Sequence, residues 1–300
     1  VVFDFEIGFT NGGGLRGRDF RLDIEGDDID DAALVEHVVR DLRLLMVGPA
    51  RILNKRIVAE PHRRGAAADA HSREGRGPTH GYVDLSHVIE DGLVTYPGLP
   101  AAHVCDYLSR EQSRAHYEAG TEFQIASIEM VANTGTYLDC PFHRYADGAD
   151  LSQLAPEAFA DLDGVVVRAG HGDGGAIDAS FFRGLELRGR AVLVHTGWDA
   201  HWATSAYADG HPFLTADAAE WLRDCGVALV GIDSMNIDDT RGRARPVHSI
   251  LLGAGILIVE HLCNLAALPD EGFDFSAIPP KFRGVGTFPV RALARLRGAR

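Results

Sequence analysis

The sequence predicts a mixed α/β protein in two parts. A small ββαβ module spans residues 1–60, a linker spans 61–80, and a larger α/β domain spans 81–300. Three observations predict this. Residues 1–60 carry an alternating apolar run, a glycine turn and one helix-spaced apolar series. Residues 61–80 hold almost no large apolar side chain. From residue 81 onward, short apolar runs alternate with turn signals and helical patterns.

In the first part, residues 1–10 place Val2, Asp4 and Glu6 on one side and Phe3, Phe5 and Ile7 on the other. That period of two is the mark of a half-buried strand. Asn11-Gly12-Gly13-Gly14 signals a turn, and residues 20–24 read as the returning strand. Asp27 to Asp31 offer capping side chains and first-turn acids, which suit the positive end of a helix. Leu34, Val35, Val38, Val39, Leu42, Leu45 and Met46 follow with helical spacing. Residues 50–59 read as a third strand. So small a sheet has little core, so the module is expected to pack on something larger. His62, His71 and His80 of the linker fit no compact metal site and read as solvated.

In the second part, strands are expected at 82–85, 123–131, 164–167, 191–195, 228–232, 255–259 and 285–290. Helical patterns cover 157–161, 178–182 and 216–225. In the last of these Ala219, Leu222 and Cys225 share a face, and Gly226 is placed to end it.

Composition narrows the function. Lys and Arg total 29 against 43 Asp and Glu, a net charge of −14. Nucleic acids and anionic membranes are bound through basic surfaces, so neither is an expected partner. Apolar residues are 46% and charged residues 24%, which excludes disorder of the whole chain. No apolar stretch reaches the ~18 residues a membrane span needs. Cys105, Cys140, Cys225 and Cys263 are scattered, without a C-x-x-C pair, which fits reduced thiols in a cytoplasmic protein. The GHGDGG stretch at 170–175 matches a dinucleotide fingerprint literally. However, the helical pattern after it is short, and the next strand ends in His195 where a ribose-binding acid is needed. It reads as a glycine-rich turn.

Two segments concentrate polar chemistry. The first, residues 133–144 (NTGTYLDCPFHR), follows the expected strand at 123–131. A loop carrying Gly and Pro at a strand end is a common mount for catalytic groups. Asp139 and His143 meet if that loop curls, and a carboxylate can orient an imidazole or share a metal with it. The bland alternative is a capped loop with a surface His. The second segment runs from His248 through a long apolar stretch to Glu260. A carboxylate closing a buried strand is costly without a partner. That partner is either a site or an ion-paired Arg.

Together these segments resemble the cyclase-like metal-dependent hydrolases, the family of bacterial kynurenine formamidase and isatin hydrolase. The family pattern H-x-G-T-H-x-D-x-P-x-H stands here as N-T-G-T-Y-L-D-C-P-F-H. Asp84-Leu85-Ser86-His87 with Tyr96-Pro97-Gly98 resembles the family's opening strand and loop. Thr196-Gly197-Trp198 resembles its T-G-W. Gly231-Ile232-Asp233, the His248 and Glu260 pair with Asn264-Leu265, and Gly284 to Ala292 resemble its later half. The likeness covers residues 81–300. It implies a swivelling β/β/α cyclase-like fold, a small-molecule substrate and a homo-oligomer, most simply a dimer. Residues 1–60 lie outside it.

The resemblance also implies site residues. In the family the first two His of the pattern and the Asp bind Zn or Mn, and the last His is a base or a ligand. The later His and Glu serve a second metal or its surroundings. Carried over, these are Asp139, His143, His248 and Glu260, while Asn133 and Tyr137 replace the two leading His. An Asn carbonyl is a weak donor, and a Tyr ligates well only as phenolate, from a free pKa of about 10. The metal site is therefore expected to be degenerate or absent, with Asp139, His143, His248 and Glu260 as its remnant.

Three functions follow from this. One is acid–base chemistry on a small carbonyl, lactone or amide compound: cyclisation, dehydration, isomerisation or lactone opening. Here Tyr137 is the acid or oxyanion donor, His143 the base, Asp139 its orienting partner, and His248 and Glu260 complete the pocket. The second is Zn- or Mn-dependent hydrolysis of an amide or lactone through the remnant ligands. The third is a non-catalytic homologue that binds a ligand or partner through residues 1–60. Asn133, Tyr96 and Trp198 are the expected substrate contacts. Cys140 reads as a packing residue rather than a nucleophile.

Overall fold

The computed structural model describes residues 1–10, 13–22, 28–41, 47–57, 81–170 and 175–298. The chain divides into two compact units, Val1–Gly75 and Arg76–Arg300. The expected linker at 61–80 and the middle of the GHGDGG stretch lie outside the described residues.

The first unit has β1 (Val2–Phe9), β2 (Gly14–Arg21), α1 (Asp31–Asp41) and β3 (Val47–Arg56), with β1 central and antiparallel to both neighbours. Phe3, Phe5 and Ile7 are buried with Leu34 and Val38 of the helix, as the alternation predicts. The return strand starts at Gly14, earlier than expected, because β1 pairs Gly8 with Gly14 directly across the turn. The third strand also starts early, at Val47, paired with Phe9. Cross-strand pairing sets both starts, and hydropathy does not record it.

The second unit is built on a nine-stranded mixed sheet. Its strands are β4 (Tyr82–Asp84), β7 (Tyr137–Asp139), β8 (Leu162–Arg168), β10 (Ala191–His195), β12 (Leu229–Ile232), β13 (Leu257–Glu260), β14 (Phe273–Ile278), β15 (Thr287–Pro289) and β16 (Arg291–Leu296). Across the sheet the order is β15-β7-β13-β12-β10-β8-β14-β16-β4. The central four, β8, β10, β12 and β13, run parallel, and the flanking strands are antiparallel. Short pairs β5 (His103–Leu108) with β6 (Ile125–Glu129), and β9 (Ala176–Ile177) with β11 (Phe213–Leu214), lie outside this sheet. The helices are α2 (Arg110–Ser113), α3 (Pro141–Arg144), α4 (Ala216–Cys225) and α5 (Pro246–Gly253).

The parallel strands are buried on both faces, as such strands must be. Val192, Val194, Val230, Ile232 and Ile258 pack against Leu222 of α4 and Val247 and Leu251 of α5. Leu193, Leu229, Leu257 and Val259 turn to the other face, among Leu138, Phe273 and Phe275. Gly164 and Gly231 are required by this packing. A Cβ on Gly164 would lie 2.0 Å from the Phe273 ring, and one on Gly231 would lie 2.6 Å from Leu262.

Several expectations change. The apolar run after His248 is not one strand: its first half is α5, a turn at Gly255 follows, and only Leu257–Glu260 is extended. Periodicity does not separate a short buried helix from a buried strand. The expected strand at 123–131 shortens to β6, and the polar segment after it contains a strand of its own, β7. The expected strand at 285–290 is β15, and β16 is distinct from it. The helical patterns at 157–161 and 178–182 are 3-10 turns, Pro156–Ala158 and Ala179–Phe182. Helix α4 matches residue for residue, capped by Gly226 at φ 71°. Among the described residues no helix is long and apolar enough to cross a membrane.

Candidate active site

Register brings the polar residues together. Strand β7 lies between β13 and β15, with Tyr137 opposite Glu260, and Asp139 opposite both Ile258 and Thr287. Side chains alternate along a strand, so Tyr137 and Asp139 share the face of Ile258, the face α5 covers, while Leu138 turns away. Helix α5 sets His248 over that face. Asp139, His248 and Glu260 are all buried.

Helix α3 adds His143. Pro141 stands at its first position, where a missing N–H costs nothing. One turn carries His143 back over Asp139, with Nδ1 3.8 Å from Oδ1. Thr287 joins the two: its hydroxyl donates to Asp139 Oδ1 and lies 2.7 Å from His143 Nδ1. With its proton committed to the carboxylate, the hydroxyl oxygen accepts from His143 Nδ1–H and leaves His143 Nε2 bare. The approach needs Gly286, since a Cβ there would lie 2.3 Å from the His143 nitrogen.

His248 is oriented by Asp238. The Asp238 carboxylate accepts from His248 Nδ1 at 2.6 Å and from the amides of Val247 and His248 at 2.8 and 3.0 Å. One fully buried carboxylate thus caps α5 and fixes the imidazole. His248 Nε2 then faces Asp139 Oδ2 at 3.6 Å and Glu260 Oε1 at 3.7 Å. Burial alone would lower the pKa of His248. The facing Asp139 carboxylate, the Asp238 hydrogen bond and the charge of Glu260 raise it instead to about 10. Glu260 accepts from the Ile237 amide at 2.7 Å and from the Tyr137 hydroxyl at 2.6 Å. Burial pushes its carboxyl up to about 7 against the pull of His248. Burial, and the adjacent Glu260 charge, hold the Tyr137 and Tyr96 phenols well above their ordinary range, so both are neutral donors.

Asp139 Oδ2 is buried and has no hydrogen-bond partner among the described residues. One ligating atom each from Asp139, His143 and His248 lies within 4.8 Å of the others. Donors around a tetrahedral cation at about 2.0–2.1 Å stand roughly 3.4 Å apart, close to the 3.6 Å between Asp139 Oδ2 and His248 Nε2. An unpartnered carboxylate oxygen, an imidazole Nε2 directed at it whose proton a cation would displace, and the mixed N and O donor set fit a divalent cation.

The remaining expected residues divide. Tyr96 joins the cluster: its hydroxyl donates to the Met235 carbonyl at 2.7 Å, accepts from Asn236 at 2.9 Å, and lies 3.1 Å from that of Tyr137. Asn133 is half-buried in the segment before β7 and, among the described residues, makes no hydrogen bond to the cluster. Trp198 sits on a 3-10 turn and donates its indole N–H to the Tyr207 carbonyl at 2.9 Å. Trp202 stands nearer the site, stacked on His87 at 3.9 Å and edge-on to His261. Cys140 is buried, and burial pushes its thiol up to about 11, so it is not a thiolate at neutral pH. Sequence reasoning missed Thr287, Asp238 and His261. For Asp238, an acid five residues after Asp233 in a polar stretch was a weak signal. For Thr287 there was none, because its role comes from pairing across 148 residues.

Known proteins share this architecture. The Cyclase family profile matches residues 83–239. Kynurenine formamidase of Bacillus cereus is 25% identical over 219 residues, covering 72% of this chain and 98% of its own length. Kynurenine formamidase of Paracidovorax citrulli is 28% identical over 222 residues, covering 71% and 95%. Among solved structures, isatin hydrolase A of Labrenzia aggregata, bound to benzyl benzoate, superposes with a TM-score of 0.61 at 23% identity, over 73% of this chain and 94% of that one. A potential metal-dependent hydrolase with cyclase activity superposes with a TM-score of 0.58 at 24% identity, over 71% and 96%. The mixed sheet is that of the cyclase-like fold.

Proposed function

We propose that this chain, an enzyme that belongs to the cyclase family, hydrolyses the C–N or C–O acyl bond of a small formamide, lactam or lactone. Asp139, His143 and His248 would hold a divalent cation such as Zn or Mn, with Glu260 beside them. The observation that carries this reading is the buried, unpartnered Asp139 Oδ2, 3.6 Å from the Nε2 of an imidazole whose other nitrogen is tied to Asp238. A cation held there supplies a Lewis acid that polarises a carbonyl and lowers the pKa of water.

The chain's own groups do the rest. Asp238 holds a His248 proton on Nδ1 and so turns Nε2 into the site, where a bound cation would take the place of the Nε2 proton. Thr287 does the same for His143, whose ring is the most exposed of the three, with its side chain 35% accessible. Tyr137 donates to Glu260 and keeps that carboxylate from swinging toward His248. The name of the relatives, kynurenine formamidase, supports a formamide among the substrates. A homodimer belongs to this reading. The β5–β6 hairpin exposes Tyr107, Ile125 and Ile128, and an isolated hairpin is marginal in water, which supports a subunit contact there.

The test is elemental analysis of the untagged protein and of His248→Ala, with a hydrolysis screen of formamides, lactams and lactones. Near-stoichiometric cation that His248→Ala abolishes, with hydrolysis lost on chelation and restored by Zn or Mn, is expected. Hydrolysis undiminished by exhaustive chelation would refute it. The Tyr137–Glu260 hydrogen bond favours a second reading, metal-free acid–base chemistry with Tyr137 as donor and His143 as base. Under that reading, turnover survives chelation and disappears in Tyr137→Phe.

A further inference from the structure

Behind the site runs a line of buried neutral groups. Tyr207 on the 3-10 turn Ser205–Ala208, His261 after β13, and Tyr137 on β7 lead to Glu260, and all four are buried. The Tyr207 hydroxyl lies 2.8 Å from His261 Nδ1, His261 Nε2 lies 3.3 Å from the Tyr137 hydroxyl, and that hydroxyl lies 2.6 Å from Glu260 Oε2. His261 holds a left-handed φ of 56°, a strained conformation that an ordinary side chain rarely adopts. The fold therefore places this ring here against a local penalty.

The lengths assign the protons. Glu260 accepts on both oxygens, from the Ile237 amide on Oε1 and from the Tyr137 hydroxyl on Oε2 in the shortest contact of the line, so the Tyr137 proton belongs to Glu260. The Tyr137 oxygen then turns a lone pair toward His261 Nε2. A bare Nε2 would set two lone pairs face to face, so Nε2 carries the hydrogen. A neutral imidazole has one such hydrogen, so Nδ1 is bare and accepts from Tyr207. Burial keeps the ring neutral, aided by the neighbouring His87 and His211. The groups that face it are Tyr96, Tyr137, Trp202 and Tyr207, none of which brings a charge.

We propose that Tyr207 and His261 are positioning residues: Tyr207 locks His261 in its Nε2–H tautomer, and His261 thereby commits the Tyr137 hydroxyl to Glu260. Without the Tyr207 hydroxyl, the ring can move its proton to Nδ1. Nε2 then becomes an acceptor and competes with Glu260 for the Tyr137 proton. Glu260 Oε2 is left with the Tyr96 hydroxyl at 3.4 Å, which is already donating to Met235 at 2.7 Å. The inference rests on Glu260 belonging to the site proposed above, but the tautomer is read whether or not the chain hydrolyses anything.

The experiment is long-range nitrogen–proton NMR on protein labelled with nitrogen-15 histidine near pH 9, where Glu260 is ionised, with the His261 signals assigned by their loss in His261→Gln. The wild type is expected to show a neutral ring with its hydrogen on Nε2. A ring protonated on Nδ1 alone, or on both nitrogens, overturns the assignment without any need for a variant. In Tyr207→Phe a substantial Nδ1–H population is expected, and an unchanged tautomer overturns the lock. Should Tyr207→Phe fail to fold, the wild-type Nδ1 signal decides: the nitrogen shift of a bare nitrogen that accepts a hydrogen bond is expected, and the shift of a bare nitrogen without a donor overturns the lock.

Discussion

Replacing Asp238 with Ala tests how the fold builds the site. The carboxylate accepts three hydrogen bonds within the interior: the amides of Val247 and His248, and His248 Nδ1. Each buried donor left unmade costs about 1–3 kcal/mol. Two of them also open the start of α5, where a lost cap costs about 0.5–2 kcal/mol by itself. Partial repair by water sets the total near 3–4 kcal/mol. At about 2–4 °C per kcal/mol for a domain of this size, Tm falls by about 6–16 °C. The sharper consequence is at the ring. With Nδ1 released, His248 no longer holds one orientation or one tautomer, and loss of such an anchoring carboxylate typically costs about 10–100-fold in metal affinity. The assay is competition for Zn or Mn against a chromophoric chelator at 25 °C, with unfolding followed separately. Asp238→Asn keeps one acceptor and is expected to fall between wild type and Asp238→Ala in both measurements. An Asp238→Ala protein that binds cation as tightly as wild type would refute the reasoning, even if its Tm fell as expected.

Other outcomes follow from the same geometry. Gly286→Ala should reduce cation affinity by at least about tenfold, because the new Cβ would lie 2.3 Å from the His143 backbone nitrogen and must move α3; unchanged affinity would show that α3 yields without disturbing His143. The cation-free protein should lose stability as pH rises from about 5 to 9. The folded pKa of Glu260, about 7 against an ordinary 4.5, and that of His248, about 10 against 6.5, are both raised, so their contribution is present below the ordinary value and lost as pH climbs through the folded one. Tm measured across that range with and without Zn should show the fall in the first series and a flatter profile in the second. Tyr137→Phe should keep its cation content and lose about tenfold or more in turnover, from one hydrogen bond to a charged group, as read by elemental analysis and steady-state kinetics. Analytical ultracentrifugation should give about twice the 32.4 kDa chain mass for wild type, and the chain mass for a Tyr107→Lys, Ile128→Lys variant; a wild-type monomer at micromolar concentration would remove the hairpin from the reading.

The resemblance carried the family and named four candidate residues, two of which, Asp139 and His143, lie in the single stretch N-T-G-T-Y-L-D-C-P-F-H. It carried less about how those residues meet. Asp139 and His143 are four residues apart, so a single helical turn brings them together, and that was legible in the spacing. The setting of that turn was not legible. The segment read as a loop at a strand end is instead a strand paired on both sides, and a three-residue strand has too little pattern to be recognised. His248 was visible as a polar residue before an apolar run, yet its helix was hidden, because a fully buried helix turn and a buried strand have the same apolar composition.

By itself the sequence determined the α/β fold class, helix α4 to the residue and the alternating core of β1, and it offered candidates for a site. Those features depend on local periodicity, on turn chemistry and on the intrinsic reactivity of side chains, all of which are written along the chain. Only the tertiary structure decided which groups share protons. Thr287 reaches Asp139 through antiparallel register, Asp238 reaches His248 by capping a helix from outside it, and Tyr207 reaches Glu260 through two intervening side chains. Hydrogen bonding and desolvation act over a few ångströms in space, whatever the separation in sequence. The protonation of this site is therefore a property of the packed sheet and helix rather than of any segment within them.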